Sequence, residues 1–538
     1  MTAIETFSDG ERQALEPYFT NLDGPVFALH NLPEVVKGAL FARYSRSPKS
    51  LRRLFLDEFL DHVPAVTEAT EVGLQRAQQL YERVFDEYGD DSVAQLGGAH
   101  LACEGASNLL TKVLEWGRLM AYLEQSTRYI TYNDRVGGRW KYLVPAEIEH
   151  TELRQAYVEC LDHAFETYAR LIEPLEQYYR GRYPKDRGDP EVVYHRTIRA
   201  KALDTLRGLL PAATQSNVGL FGTGQAYEAL LLRMRVHPLE EVRHYADLML
   251  AELRKVIPSF LKRVDRPDRG GRWSEYLKET RAATERVAQR LVADATPEPR
   301  PEVVLTDYDP EGELKVVAAA LYAVSSLPDD QLLRIARQMS TEERADLLRA
   351  YVGDRQNRRH KPGRAFERAA YRFDILTDYG AFRDLQRHRL LTLEWQALSP
   401  HHGYALSGAV GEAGALSDCE RVMEESARLY KQLVDAGYPQ VAPYAISMAY
   451  RVRFYIEMNA REAMHMIELR TSPQGHPAYR RVCQAMHRLI AEQAGHHAVA
   501  AAMAFADHSE VELERLQSER AIELRRRSSP SPSGRGQG

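Results

Sequence analysis

The chain has 538 residues, of which 71 are lysine or arginine and 76 are aspartate or glutamate, so its formal net charge is −5. About two to four domains fit this length, and the near balance of charge gives no reason to expect a nucleic acid or a membrane surface as partner. No apolar run approaches the ~18 residues of a membrane span. The N-terminus lacks the basic start and apolar middle of a signal peptide, and the four cysteines show no zinc or disulfide spacing. We therefore expect a cytoplasmic protein.

Helical periodicity is the commonest pattern along the chain. Apolar side chains recur at three- and four-residue steps in 152–179 and 419–436, and 245–257 and 479–503 also predict long helices. Alternation of polar and apolar residues predicts strands at 139–144 and 450–456. The expected fold class is α+β with much helix.

One break divides the chain into two folded regions. Residues 294–301 contain three prolines in eight positions, and each proline disfavours helix in the residue before it. We expect a first domain at 1–293, a linker at 294–301 and a second domain at 302–524. The last stretch, 525–538, is rich in serine, proline, glycine and arginine and is expected to be disordered. Its arginines could contact nucleic acid, but a solvated tail is the preferred interpretation.

The two halves repeat one order of motifs. An arginine on a short predicted helix is followed by a long amphipathic helix and then by a Leu-Arg pair. Arg118 and Arg233 bound this series in the first half, 115 residues apart, and Arg389 and Arg470 bound it in the second, 81 residues apart. The first half therefore carries 34 extra residues, which we place around 180–201. A shared order with drifted spacing indicates an old duplication.

Arg387, His388 and Arg389 concentrate cationic or donor-rich side chains in one short stretch of the second half. Such a cluster is destabilised by repulsion unless anions meet it, and phosphate matches the paired donors of a guanidinium. The alternative is a solvated basic end of a helix, where the helix dipole favours positive charge. Local chemistry alone leaves both interpretations open.

Two further stretches carry polar groups that suit a small-molecule site. Glu124, Ser126 and Arg128 could hold an anion together with a polar ring, or could form a helix end. Arg461 and Arg470 stand among apolar residues at helical steps. Because an unpaired buried charge is costly, they indicate a bound partner or a buried ion pair.

Two pairs of adjacent histidines, 401–402 and 496–497, raise the question of a metal site. Neighbouring residues on a helix point ~100° apart, and no His-Glu-x-x-His motif accompanies them. We expect no metal.

The second half resembles the flavin-dependent thymidylate synthases. That family carries Arg-His-Arg-x-x-Ser-x-Asn-Glu-x-Ser-x-Arg-Tyr, then Arg-x-Val-Leu-Pro, and later Asn-Ala-Arg ending in Leu-Arg. The matching residues are Arg387, His388, Arg389, Asn459, Arg461 and Arg470, with His360 in an upstream His/Pro/Glu segment. The pattern is lost at Glu394, Trp395, Ala397, Ser399 and Pro400, which occupy the positions of Asn, Glu, Ser, Arg and Tyr.

The first half resembles the same family through the other motifs. It keeps Glu124, Ser126, Arg128 and the Arg207 of Arg-Gly-Leu-Leu-Pro. Trp116 and Gly117 replace the first two residues of Arg-His-Arg, and Gly222 and Gly224 replace the Asn and Arg of Asn-Ala-Arg. The resemblance implies two tandem thymidylate synthase complementing protein-like domains, helix-rich, each with a small, mostly antiparallel sheet.

The motifs that the two halves retain are complementary. In the family, as the resemblance implies, several subunits of a homotetramer build each active site. One supplies the Arg-His-Arg and terminal arginine groups, and another supplies the Glu-x-Ser-x-Arg and Arg-x-Val-Leu-Pro groups. The second half of this chain keeps mainly the first set and the first half mainly the second, which predicts one composite site built from both halves and a homodimer of the tandem chain.

The activity that the resemblance implies is methylation of dUMP to dTMP, with FAD as cofactor and NADPH and methylenetetrahydrofolate as co-substrates. The flavin would be bound by Arg387, His388, Arg389, Asn459, Arg461 and His360. The nucleotide would be bound by Glu124, Ser126, Arg128, Arg207 and Arg470. Arg470 would also be catalytic, as a cation beside the uracil ring that stabilises the charge developing there.

Two alternatives to this activity stay open. The chain could be a catalytically inactive flavin- or nucleotide-binding paralogue with a regulatory or structural role, since the second half has lost several motif residues. It could also be a flavoenzyme that acts on another pyrimidine or base.

Overall fold

The computed structural model describes residues 5–24, 27, 29–34, 36–37, 40, 49–60, 95–128 and 130–510. Its strands are β1 (Gly98–Ser107), β2 (Met120–Glu124), β3 (Gln215–Thr223), β4 (Val303–Tyr308), β5 (Ala370–Asp378), β6 (Thr392–Trp395) and β7 (Arg451–Asn459). Its helices are α1 (Asp9–Leu15), α2 (Leu51–Glu58), α3 (Asn108–Leu114), α4 (Leu153–Arg182), α5 (Glu191–Leu206), α6 (Gly224–Arg235), α7 (Glu240–Leu253), α8 (Arg272–Leu291), α9 (Gly312–Tyr322), α10 (Asp329–Gln338), α11 (Thr341–Val352), α12 (Tyr379–Gln386), α13 (Gly408–Glu412), α14 (Leu416–Asp435), α15 (Ala460–Arg470), α16 (Pro477–Glu492) and α17 (His497–Ala502).

Residue contacts divide the chain into two compact units. Unit 1 consists of Met1–Ala106, Val113–Glu124 and Ser216–Thr296, and unit 2 of Ser107–Lys112, Gln125–Gln215 and Pro297–Gly538. Each unit draws on separated stretches of sequence, and the domain boundaries at 293 and 302 stay a prediction. The predicted disordered tail, 525–538, lies outside the described residues.

The sheet of unit 1 has three strands in the order β1-β3-β2. β2 runs antiparallel to β3, with Met120 opposite Gly222 and Glu124 opposite Val218. Every second residue of β3 is buried, as expected of a strand with one face against a core.

The sheet of unit 2 has four antiparallel strands in the order β4-β5-β7-β6. β5 and β7 pair along their whole length, from Ala370 opposite Asn459 to Asp378 opposite Arg451. Phe373 and Ile456 face each other in this register and are fully buried. α12 and α16 pack against β5, and α4 packs against α5 and α14, which completes a helix-rich core. Within the described ranges, no helix has the length and apolar character needed to cross a bilayer.

Four strands lead directly into helices through a side-chain cap. The last residue of each strand accepts a hydrogen bond from a backbone N–H of the helix's first turn, an arrangement that stabilises helix N-termini. The capping residues are Ser107, Thr223, Asp378 and Asn459. Because β5 and β7 are antiparallel, the helices that follow them begin at opposite ends of the sheet. The last turns of these two helices bring Arg470 Nη1 to 3.7 Å from Asp384 Oδ1.

The order of elements repeats between the two halves. The shared order is β1, α3, β2, α4, β3 and α6 in the first half, and β5, α12, β6, α14, β7 and α15 in the second, where α13 is inserted between β6 and α14. α5 follows α4 in the first half, whereas a single short turn connects α14 to β7 in the second. The 34 extra residues of the first half, placed around 180–201 from the sequence, therefore correspond to the longer α4 and to α5.

Most of the predicted elements are present. The helices predicted at 152–179 and 419–436 and the strand at 450–456 are confirmed by α4, α14 and β7, and the helix-rich α+β fold class is confirmed. The strand predicted at 139–144 is wrong: Tyr142 makes only an isolated bridge to Thr214. The helix predicted over 479–503 is interrupted, because Gly495 takes a positive φ of 71° between α16 and α17.

Candidate active site

A buried aspartate lies at the centre of an arginine cluster in unit 2. Asp384, on the last turn of α12, is 6% exposed. Arg387 donates to its Oδ1, Arg207 Nη1 lies 3.5 Å from its Oδ2, and Arg470 Nη1 lies 3.7 Å from its Oδ1. Burial alone would raise the pKa of Asp384, but the positive charges of these arginines outweigh burial and hold that pKa well below its usual range. Asp384 is therefore ionised at neutral pH.

A second ion pair extends the cluster. Arg128 donates from Nε and Nη2 to the two carboxylate oxygens of Asp204, at 2.7 and 2.8 Å. It also donates to the Tyr479 hydroxyl and to the Gln474 carbonyl, both at 3.2 Å. Burial opposes the ionisation of Asp204, but the charge of Arg128 lowers its pKa below the usual value. The bidentate geometry fixes the orientation of Arg128.

His388 connects Arg470 to a buried carboxylate. The residue is 7% exposed, with Nε2 3.1 Å from Arg470 Nε and Nδ1 3.1 Å from Glu462 Oε1. An arginine Nε is always a donor, so Nε2 must accept and the ring proton must lie on Nδ1, where it donates to Glu462. Burial lowers the pKa of His388 to about 4, although Glu462 opposes this, so the ring is neutral at neutral pH. The Glu462–His388 pair thereby holds one edge of Arg470.

Arg470 keeps one edge for a ligand. It is the last residue of α15, and its guanidinium lies over the Tyr479 ring, 5.4 Å from the centroid. Nε is taken by His388, whereas Nη2 has no hydrogen-bond partner among the described residues. The side chain is thus held on one side and keeps a donor available.

The nucleotide-binding residues predicted from sequence are divided between the units. Arg128, Arg207 and Arg470 meet in unit 2, and Ser126 is nearby in the chain, its Oγ accepting the Arg128 backbone N–H at 3.3 Å. Glu124 belongs to unit 1, where it is buried at the end of β2. The structure therefore places three of the predicted arginines in one cluster.

The predicted flavin-binding arginines lie nearer the surface. Arg389 is exposed, beyond the end of α12. Arg461 donates from Nε to the Pro362 carbonyl at 3.0 Å and lies 3.3 Å from Glu367, and its Nη2 has no partner among the described residues. The remaining N–H donors of Arg461 suit a phosphate of a flavin dinucleotide, so this residue fits the cofactor.

The other predicted flavin-binding residues have structural contacts. Asn459 accepts the Glu462 backbone N–H at 2.9 Å as the cap of α15. His360 is exposed, and its Nδ1 accepts the Gln356 backbone N–H at 3.3 Å. The ring nitrogens of His388 are both used within the protein, so its contact with any cofactor would be through ring carbons.

One group of possible metal-ligand atoms is found in the described part of the chain. Atoms of His388, Glu462 and His465 lie within 4.8 Å of one another. His465 Nδ1 is 3.4 Å from Glu462 Oε2, and His388 uses both ring nitrogens in hydrogen bonds. The three side chains therefore form a hydrogen-bonded chain.

The equivalent positions in unit 1 are arranged differently. Trp116 stands where the second half has Arg387, and the Arg233 guanidinium lies 5.0 Å from the centroid of its ring. Burial lowers the pKa of Arg233. Among the described residues Arg233 has no carboxylate partner. It lies against the Trp116 ring, whereas Arg470, its counterpart in the second half, lies beside the Asp384 carboxylate.

Sequence reasoning missed the acidic partners of the cluster. Asp204 and Asp384 each stand three residues before a cluster arginine, in Asp-x-x-Arg at 204–207 and 384–387. That spacing was a usable signal for the Asp384–Arg387 pair, because residues three apart on a helix are neighbours. It does not reveal the partner of Asp204, which is the distant Arg128. The anion that the basic stretch at 387–389 requires is in part supplied by the chain itself.

Comparisons with known proteins agree on one family. The family model for thymidylate synthase complementing protein matches two regions, 39–259 and 304–495. A UPF0159 protein of Chlamydia muridarum is 39% identical over 521 residues, covering 95% of this chain and 98% of its own length. A UPF0159 protein of Thermoplasma acidophilum is 29% identical over 510 residues, covering 90% and 97%. A flavin-dependent thymidylate synthase of Clostridium tetani is 26% identical over 178 residues, which is 32% of this chain and 66% of that protein.

Proposed function

The chain belongs to the thymidylate synthase complementing protein family, and on this premise we propose that it is a flavin-dependent enzyme that methylates dUMP to dTMP. The observation that carries the proposal is the convergence of Arg128 and Arg207, from the first family match, with Arg387 and Arg470, from the second, around Asp384. The proposed site is one composite site within unit 2.

The charge of this cluster suits a nucleoside monophosphate. Four guanidiniums face two ionised carboxylates, Asp204 and Asp384, which leaves a net charge of +2. A phosphate monoester carries about −1.5 to −2 at neutral pH. One phosphate would therefore nearly neutralise the cluster, and Arg207 and Arg470 still have N–H donors for it.

Arg470 has the proposed catalytic role. Its Nε edge is fixed by neutral His388 and its face by Tyr479, so the remaining donor has a defined direction. Placed beside the uracil carbonyl, it would stabilise negative charge as it develops on the ring. Glu462, which accepts a hydrogen bond from the Nδ1–H of His388, is a positioning residue for Arg470.

The cofactor would be held at Arg389 and Arg461, whose guanidiniums suit its diphosphate, with Arg387, His388, Asn459 and His360 as the further predicted contacts. When bound, a flavin supplies the electrons that convert a transferred one-carbon group into a methyl group. We further propose NADPH and methylenetetrahydrofolate as co-substrates and a homodimer of the tandem chain.

Tritium release from 5-labelled dUMP tests the activity directly, because methylation replaces the hydrogen at that carbon. The purified chain is incubated with FAD, NADPH and methylenetetrahydrofolate, and release is compared between the wild type and Arg470→Ala. Trp116→Ala and Ser399→Ala are controls outside the proposed site, and both should keep nucleotide binding. Complementation of a thymidine-requiring bacterium is the matching test in cells. Flavin-loaded protein that binds dUMP and releases no tritium would refute the enzymatic proposal.

A non-catalytic flavin- or nucleotide-binding protein is the second candidate. It is favoured by Glu394, Trp395, Ala397, Ser399 and Pro400, which replace motif residues. The tritium assay separates the two candidates, since only the enzyme would release label from dUMP.

A further inference from the structure

A cavity of about 330 Å³ in unit 2 lies beside the arginine cluster. Its lining includes Lys201, Asp204 and Arg207, together with Gly380 and Arg481, and it does not include Arg128, Arg387 or Arg470. Lys201 and Asp204 belong to α5, the helix that the first half has in addition to the shared order of elements. The cavity is thus bounded by a part of the chain that the duplicated motifs do not provide.

Arg207 connects the cluster to the cavity. The residue is 4% exposed, its Nη1 lies 3.5 Å from Asp384 Oδ2, and its buried Nη2 has no hydrogen-bond partner among the described residues. A Cβ added at Gly380 would lie 3.2 Å from Nη2, so the absence of a side chain there keeps the space beside this donor open. A buried guanidinium N–H without an acceptor is costly, and an anion in the cavity would supply the acceptor.

Lys201 is a second cation on the cavity wall without a counter-ion. Its Nζ lies 5.9 Å from the centroid of the Tyr179 ring and makes no ion pair or hydrogen bond within the described residues. Burial lowers the pKa of Lys201, which an adjacent anion would reverse.

The acidic residues of the lining are already engaged. Asp204 is paired with Arg128, and Asp378 Oδ1 accepts the Ala381 backbone N–H at 2.9 Å. Arg481, the third cation of the lining, is held by two hydrogen bonds to Glu302 at 2.8 and 3.0 Å. The lining therefore keeps two cationic groups, Lys201 and one edge of Arg207, for a ligand.

We propose that this cavity is an oxyanion subsite that binds a phosphoryl group between Lys201 of α5 and the Nη2 edge of Arg207. The group is the phosphate of the nucleotide or a free phosphate ion. The subsite itself stands on the cavity and its two cations; only the assignment to the nucleotide rests on the proposed function.

Isothermal titration calorimetry with inorganic phosphate, in buffer free of other oxyanions, tests the subsite on the full chain. Lys201→Gln should weaken phosphate binding about tenfold or more, the effect of losing a charged hydrogen bond. Lys201→Arg should keep most of the affinity, which separates lost charge from lost folding. Arg196→Gln, on the exposed face of the same helix, is the matched control and should bind phosphate like the wild type.

Repeating the titration with saturating dUMP identifies the source of the anion. Unchanged phosphate affinity assigns the subsite to a separate ion, whereas loss of phosphate binding assigns it to the nucleotide. Absence of phosphate binding in the wild type, or equal binding by Lys201→Gln, would overturn the subsite. If phosphate binding depends on Lys201 but the protein does not bind dUMP, the proposed function is wrong and the subsite stands. If the protein binds dUMP normally but phosphate binding does not depend on Lys201, the subsite is wrong and the proposed function stands.

Discussion

Replacing Asp384 by asparagine should destabilise the protein and at the same time increase the stabilisation that the anionic ligand dUMP provides. The carboxylate is buried and is the shared counter-charge of three arginines; the side chains of Arg207 and Arg470 are 5% and 15% exposed, and that of Arg387 is 33% exposed. Removing one partner of a buried pair costs about 3–5 kcal/mol, because the remaining charge stays buried. The more exposed Arg387 should contribute least to this cost.

The loss of unfolding free energy in Asp384→Asn should become smaller as pH falls. The pKa of Asp384 in the folded chain lies below the ordinary aspartate value of about 3.9. Its carboxylate therefore contributes stability that is fully present above that value and is lost as pH falls toward the folded pKa. The difference in unfolding free energy between the wild type and Asp384→Asn should be constant at neutral pH and should shrink below about pH 4.

Urea unfolding with and without dUMP measures both effects, and Asp418→Asn provides the matched control. Asp418 forms an ion pair with Arg170, whose side chain is 56% exposed, and such pairs contribute about 0–1 kcal/mol. Asp384→Asn raises the net charge of the cluster from +2 to +3, so dUMP should stabilise this variant more than the wild type. The reasoning is refuted if Asp384→Asn costs no more than Asp418→Asn and gains nothing further from dUMP.

Three other predictions concern binding and positioning. Arg207→Ala and Arg470→Ala should each weaken dUMP binding by ~1.5–3 kcal/mol in calorimetry, the size of a charged hydrogen bond; unchanged affinity in both would remove them from the site. The double variant Arg389→Ala and Arg461→Ala should lose the visible absorbance of a bound flavin and keep its circular dichroism, and a colourless wild type that FAD cannot reconstitute would contradict this. His388→Gln keeps an acceptor for Arg470 and should retain more activity than His388→Leu. Because burial lowers the pKa of His388 to about 4, its neutral ring contributes stability that is present above about pH 6.5 and declines as pH falls toward 4, which unfolding at several pH values would detect.

The fold was largely predictable because its signals are local. In α4 and α14, apolar residues recur at three- and four-residue steps along the whole helix. An amphipathic pattern of that length has few competing interpretations. The failure at 139–144 has a physical reason: alternation predicts an extended segment, but the segment pairs with 213–215 only around the single Tyr142–Thr214 bridge, which is too short to form a strand. Pairing between distant segments is not written in the local pattern.

The site was predictable in its cations and not in its anions. The arginines stand in recognisable motifs, whereas Asp204 and Asp384 are single acidic residues on ordinary helical patterns. Their roles follow from the approach of separate elements, since Arg128 reaches Asp204 across 76 residues of chain and Arg207 reaches Asp384 across 177. The same holds for Glu462, whose effect on Arg470 passes through the tautomer of His388.

The tandem arrangement explains how some of the motif arginines could be lost from each half. A site for a phosphate dianion needs several cations, and several cations in turn need a buried counter-charge such as Asp384 when the ligand is absent. Arg233 in unit 1 shows a different arrangement: this half-buried cation has no carboxylate partner among the described residues and lies against the face of Trp116. Every molecule contains both halves in equal number. An arginine of the motif can therefore be replaced in one half, as by Trp116, while the other half keeps its arginine. Fusion thus makes complementary loss tolerable, which separate identical subunits would not allow, since each substitution would then enter every site of the assembly.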